Sequence, residues 1–130
     1  WETARRRGFE ALLAEADVVS LHTPLTPSTR HMIDAAAIAR MKPEAVLINA
    51  ARGGVVDEPA LCAALREGRI AGAALDVFEE EPLGAARGEG FAGIANLILT
   101  PHIAGVTAES NVRVSHKTAD AVLRHLETQA

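Results

Sequence analysis

The 130-residue chain has a single cysteine, Cys62. One thiol cannot close an internal disulfide, so the sequence lacks the covalent framework of small secreted domains, and a reducing cytoplasm is the expected compartment. No apolar run approaches the roughly 20 residues that a membrane-crossing helix needs. No signal-peptide pattern opens the chain. Lysine and arginine number 13 and form no stripe, and the net charge is -4. Nucleic acid and anionic membrane surfaces are therefore not expected partners. No cysteine or histidine spacing matches a metal site. The first residue is Trp1 in place of methionine, so the chain is expected to be part of a longer one.

Hydrophobic residues make up 48% and charged residues 23% of the chain, an ordinary balance for one globular domain or a piece of one. Four short apolar runs stand out: Ala16 to Leu21, Ala45 to Ile48, Ile70 to Val77 and Asn96 to Leu99. They read as continuous apolar strands buried on both faces, the pattern of a parallel sheet covered by helices. Helical patterns alternate with them. Phe9, Leu12, Leu13 and Ala16 share one helix face. Asp34 caps a second helix running to Met41, with Ile38 and Met41 inward and Pro43 beyond its end. Asp57 caps a third that carries Pro59 in its first turn, Leu61, Ala64 and Leu65 on its stripe, and Gly68 at its close. A last helix starts near Thr107 with Val112, Ala119, Val122, Leu123 and Leu126 on one side. The implied fold is α/β, a doubly wound, Rossmann-type parallel sheet with flanking helices.

Ligands of such sheets bind beyond the carboxyl ends of the strands. The residues there are His22-Thr23-Pro24, Asn49 to Gly54 around Arg52, Asp76 to Pro82, and Thr100 to Gly105 around His102. Each has an ordinary explanation when taken alone. Arg52 is then a surface arginine in a glycine turn, or a grip on a carboxylate with Gly53 and Gly54 letting the backbone come close. His102 is a capping residue or a proton carrier near neutral pH. Asp76 caps local backbone or accepts from a ligand amide, and Glu79, Glu80 and Glu81 are not told apart. His31, His116 and His125 read as surface residues, and Cys62 as core. The stretch from Glu79 to Ala95, glycine-rich from Gly84 to Gly93, exceeds the roughly 2–6 residues of a usual helix–strand link and reads as a functional loop.

Four strings, ADVVSLHTPLTPSTRHMI, MKPEAVLINAARGGVVDEPAL, GRIAGAALDVFEEEP and NLILTPHIAG, occur in this order across residues 16–105. Together they resemble the D-isomer-specific 2-hydroxyacid dehydrogenase family. The resemblance implies an NAD(P)-dependent enzyme, NAD favoured, that moves a hydride between nicotinamide and a D-2-hydroxy acid/2-keto acid pair. By the same resemblance Arg52 binds the substrate carboxylate, His102 is the acid/base, and Glu81 pairs with His102. Asp76 contacts the nicotinamide amide, and Thr23, Pro24, Ala50, Ala51, Ala104 and Gly105 line the cofactor cleft with Arg52 and His102. Formate dehydrogenases of this fold carry Gln where Glu81 stands. The C-terminal-binding-protein corepressors share the triad, but a Trp typically follows their His where this chain has Ile103-Ala104-Gly105-Val106.

The family's glycine-rich phosphate turn, with its helix and ribose-gripping acid, is expected upstream of Trp1. Residues 1–105 are thus expected to be the C-terminal part of a dinucleotide-binding domain that lacks its first βαβ unit. Residues 106–130 are expected to be a helix leading back toward a substrate domain. A homodimer is expected of the intact protein. The competing readings are a truncated, non-catalytic binding module or remnant, and an NAD-binding corepressor-like protein.

Overall fold

The computed structural model describes residues 4–128, so Trp1 lies outside the described residues. Four strands, β1 (Val18–Leu21), β2 (Val46–Asn49), β3 (Gly72–Leu75) and β4 (Leu97–Leu99), form one sheet in the order β1-β2-β3-β4. Every pairing is parallel, with Val18 beside Val46 and Val46 beside Gly72. The order advances without reversing, so these strands are one wing of a doubly wound sheet. All four carboxyl ends lie on one rim.

Helices α1 (Phe9–Glu15), α2 (Ala35–Ile38) and α3 (Glu58–Arg66) alternate with the strands and contact one another in series. Their caps follow from the sequence. Asp34 accepts from the Ala37 amide at 2.8 Å and Asp57 from the Ala60 amide at 3.0 Å. Gly68, at φ 66°, turns the chain out of α3 in the left-handed region that glycine adopts without strain. The second helix is shorter than expected: beyond Ile38 the bonds tighten to Arg40 N–H→Ala37 and Met41 N–H→Ile38. Pro43 disfavours helical geometry in the residue before it, and the chain turns away.

Burial alternates along β1 and β2. Val19, Leu21, Leu47 and Leu75 are buried in one core with Ile33, Ile38, Leu61 and Leu65. The opposite face differs from expectation. Val18 is 57% and Ile98 66% exposed, so among the described residues the sheet is covered on one face only. The continuous apolar runs suit burial on both faces, but no described helix packs on the second.

The glycine-rich stretch also departs from a structureless loop. Residues Ala85–Gly88 form a single helical turn, α4, followed by a 3-10 turn at Glu89–Phe91. The Phe91 ring packs edge-on against Phe78, centroids 5.8 Å apart. The long final helix, α5 (Ala108–Glu127), begins at Thr107 in a reciprocal capping box with Ser110. No residue of α5 is buried, and Val112, Val122, Leu123 and Leu126 are exposed. The apolar side read from the sequence exists but packs on nothing among the described residues.

Candidate active site

The rim is built by short segments leaving β1 to β4, and each is held by side chains at or near its strand's end. Asn49, 1% exposed at the end of β2, accepts from the Ala51 amide at 3.1 Å and donates to the Arg52 carbonyl at 3.0 Å. Its amide thus folds the chain carrying Arg52 back over the strand. Gly53 follows for a specific reason: a Cβ there would lie 1.7 Å from the Phe78 carbonyl oxygen. The close approach that glycine permits is therefore to the neighbouring rim segment. Gly54, at φ 74°, completes the turn.

Asp76 organises the segment after β4. One carboxylate oxygen accepts from the Thr100 hydroxyl and from the Ile103 amide at 2.9 Å, and the other accepts from the Ala104 amide at 2.9 Å. Asp76 is 6% exposed. Burial alone would raise its pKa, but the Thr100 hydroxyl, the Ala104 and Ile103 amides and the nearby His102 together hold it below the usual carboxylate value. Two carboxylate oxygens offer about four lone-pair sites, so this set leaves room for one external donor.

The clamp sets the backbone on which His102 sits in the left-handed region, at φ 56°. His102 Nδ1 meets Glu81 Oε2 at 2.7 Å, while Glu81 Oε1 accepts from the Phe78 amide at 2.9 Å. The hydrogen bond from His102, and then that from Phe78, lower the Glu81 pKa. The carboxylate stays charged and fixes the ring through Nδ1, which leaves Nε2 for an external group. A cavity of about 420 Å³ adjoins the pair, walled by Phe78, Leu83, Leu99 and Pro101.

The three glutamates, indistinguishable by composition, separate by partner. Glu81 takes His102, Glu80 takes Arg87 Nε at 3.3 Å, and Glu79 takes His31 Nε2 at 2.6 Å. His31 is therefore not the simple surface residue its position suggested. Glu58, 5% exposed in the first turn of α3, accepts from the Glu79 amide at 2.6 Å. Burial raises its pKa, and the Glu79 bond partly offsets this. The sequence reading placed Asn49 on the rim without a role, took His31 as a surface residue and did not single out Glu58. A polar residue closing the apolar strand β2 was the one available signal, at Asn49.

Arg52 is exposed and lies in a separate depression of about 340 Å³ with His22, Thr23, Pro24, Ala50 and Ala51. The Thr23 hydroxyl there is buried without a hydrogen-bond partner. Leaving such a group unpaired is costly, so the depression suits a ligand that supplies a polar atom, and its alanines leave space for a flat group. His22 bonds Ser20 at 2.9 Å at the mouth. Ala104 and Gly105 are exposed on the His102 segment. Cys62 is buried, and burial pushes its thiol pKa up, as suits a core side chain. The described residues include no cluster of acidic, histidine and cysteine side chains able to hold a metal.

Residues 88–93 spell G-E-G-F-A-G, the letters of a dinucleotide-binding turn. They lie at the end of α4, through the 3-10 turn and into the approach to β4. That motif needs a strand before it and a helix N-terminus after it to cradle phosphate, so these glycines do not form one.

The chain belongs to the D-isomer specific 2-hydroxyacid dehydrogenase family, whose NAD binding domain matches residues 2–104. It is 55% identical over 131 aligned residues to the (S)-sulfolactate dehydrogenase of Chromohalobacter salexigens, covering 100% of this chain and 42% of that protein. It is 53% identical over 102 residues to the glyoxylate reductase of Thermococcus litoralis, covering 78% of this chain and 30% of that one. Among solved structures, a D-lactate dehydrogenase from Sporolactobacillus superposes with a TM-score of 0.87 at 40% identity, over 95% of this chain and 41% of that one. The Aquifex aeolicus D-lactate dehydrogenase, complexed with NAD and lactic acid, gives 0.83 at 37% identity, over 94% and 40%. The chain thus spans less than half the length of these relatives. No described helix is long and apolar enough to cross a membrane.

Proposed function

We propose that the protein is an NAD(P)-dependent dehydrogenase interconverting D-2-hydroxy acids and 2-keto acids, with His102, Glu81 and Arg52 at its reacting centre. The observation that carries this reading is the 2.7 Å contact between His102 Nδ1 and Glu81, which presents the other ring nitrogen outward on the rim. The bound dinucleotide, NAD favoured over NADP, supplies or takes the hydride. His102 gives a proton from Nε2 to the keto oxygen, or takes one from the hydroxyl in the reverse direction. Glu81 stabilises the imidazolium and orients the ring. Arg52 grips the substrate carboxylate through two parallel hydrogen bonds.

Thr23, Pro24, Ala50, Ala51, Ala104 and Gly105 would hold the cofactor. The unpaired Thr23 hydroxyl supports this, and the remaining acceptor capacity of Asp76 suits the nicotinamide amide. Residues 1–105 are then the C-terminal part of the dinucleotide-binding domain, and α5 (Ala108–Glu127) leads back to a substrate domain. The exposed apolar side of α5 suits that role and a homodimer. We place the protein in the cytoplasm, where the lone buried thiol stays reduced.

The test is NADH oxidation by the full-length protein, followed by absorbance, with glyoxylate, hydroxypyruvate and the keto form of sulfolactate as acceptors. The last comes first because the sulfolactate relative aligns with the whole chain. Arg52→Ala should raise KM for the keto acid and cut kcat/KM about 100-fold, the effect of losing a bidentate charged contact. Turnover of none of these acceptors, or an Arg52→Ala variant matching wild type, would sink the assignment.

A further inference from the structure

The two halves of the proposed centre lie on different rim segments: Arg52 follows β2, whereas Glu81 follows β3 and reaches His102. One residue outside both segments touches each. The His31 amide donates to the Gly54 carbonyl at 2.8 Å, two residues from Arg52. Its ring Nε2 meets Glu79 Oε1 at 2.6 Å, two residues from Glu81. The segment it opens is anchored along the Arg52 side, with Ile33 N–H→Val55 and Asp57 N–H→Ile33 forming a parallel bridge. The turn it reaches is tied elsewhere by Glu58, Arg87 and the Phe78–Gly53 approach.

The backbone conformation marks the position. His31 has φ 49°, a left-handed value shared among the described non-glycine residues only with His102. A side chain there is strained unless surrounding contacts enforce it. The Glu79 side chain it meets is 15% exposed and the His31 side chain 38%, so the contact is shielded from water on the Glu79 side.

We propose that His31 is a positioning residue for the dehydrogenase reaction: by joining Gly54 to Glu79, it sets the spacing between the carboxylate-gripping Arg52 and the proton-transferring Glu81–His102 pair. This rests on the function proposed above. His31 acts through Glu79 and touches neither substrate nor cofactor. Reaction rates are steep in such spacing, since a displacement of about 1 Å can cost about 100-fold.

The test uses the full-length protein and whichever acceptor the wild type reduces fastest. His31→Gly removes the ring and keeps the left-handed backbone free of strain, so the variant folds. Its kcat should fall about ten-fold, with KM for NADH unchanged and the urea midpoint near wild type. His31→Gln, which can still donate to Glu79, should recover most of that kcat while carrying a small stability cost from its φ. A crystal structure of His31→Gly should show the Glu79–Glu81 turn displaced from Gly54. A His31→Gly variant with wild-type kcat would overturn the proposal, as would a loss of kcat that tracks stability and is not restored by glutamine. His102→Gln is run beside them. If that variant keeps full activity, the functional reading itself has failed; if it is inactive while His31→Gly is unaffected, only the positioning role has.

Discussion

Replacing Asp76 with asparagine tests the clamp beneath the reacting histidine. The wild-type carboxylate accepts from Thr100, Ile103 and Ala104 and is almost fully buried. Asparagine has nearly the same shape but one acceptor oxygen, so its amide nitrogen must face at least one donor. That leaves a buried N–H unpaired, at about 1–3 kcal/mol, and weakens the remaining bonds by removing their charge. The sum is about 3 kcal/mol, against a typical total stability of about 5–15 kcal/mol. In urea the midpoint should drop by about 1–2 M. The pH dependence identifies the charge as the source. The Asp76 pKa is depressed in the folded protein, whereas the unfolded chain takes about 3.9. Its contribution is fully present above the unfolded value and is lost as pH falls through the folded one. Wild type and Asp76→Asn should therefore differ most from about pH 5 upward and converge in stronger acid. Equal midpoints at pH 7 would refute the clamp, and a gap undiminished in acid would refute its ionic character.

Two further perturbations test other parts of the rim. Glu81→Gln removes the carboxylate that meets His102 Nδ1 at 2.7 Å, so kcat for keto-acid reduction should fall about 100-fold; a variant with wild-type kcat would separate Glu81 from proton transfer. Gly53→Ala drives a methyl group into the Phe78 carbonyl at 1.7 Å and should cost more than about 4 kcal/mol. Gly90→Ala meets nothing within 4 Å and should stay within about 0.5 kcal/mol in the same urea titration.

Much of this was legible from the sequence because the signals are local. Apolar runs located all four strands, and Asp34, Asp57 and Thr107 announced their helices through side chains that reach only three residues ahead. What escaped depends on long-range geometry. Nothing in Glu79-Glu80-Glu81 says which carboxylate meets which cation, because the partners, His31, Arg87 and His102, arrive from other elements. Gly53 looked like a ligand-approach glycine, and only the packed rim shows that Phe78 occupies the space. The bare face of the sheet was missed for the opposite reason. Residue type records what a strand is suited to pack against, and Val18 and Ile98 are suited to cover that the described residues do not supply.

The strand order has a consequence for assembly during synthesis. Because β1 to β4 are neighbours in sequence order, each new strand emerging from a ribosome finds its pairing partner already made. The sheet can therefore lengthen by addition at one edge, each step closing a single crossover connection. One bond of the rim closes a longer span: His31 waits for Glu79, 48 residues later. The first three strands can thus pair before His31 meets Glu79, so the contact proposed to position the reacting groups is made on a sheet already formed.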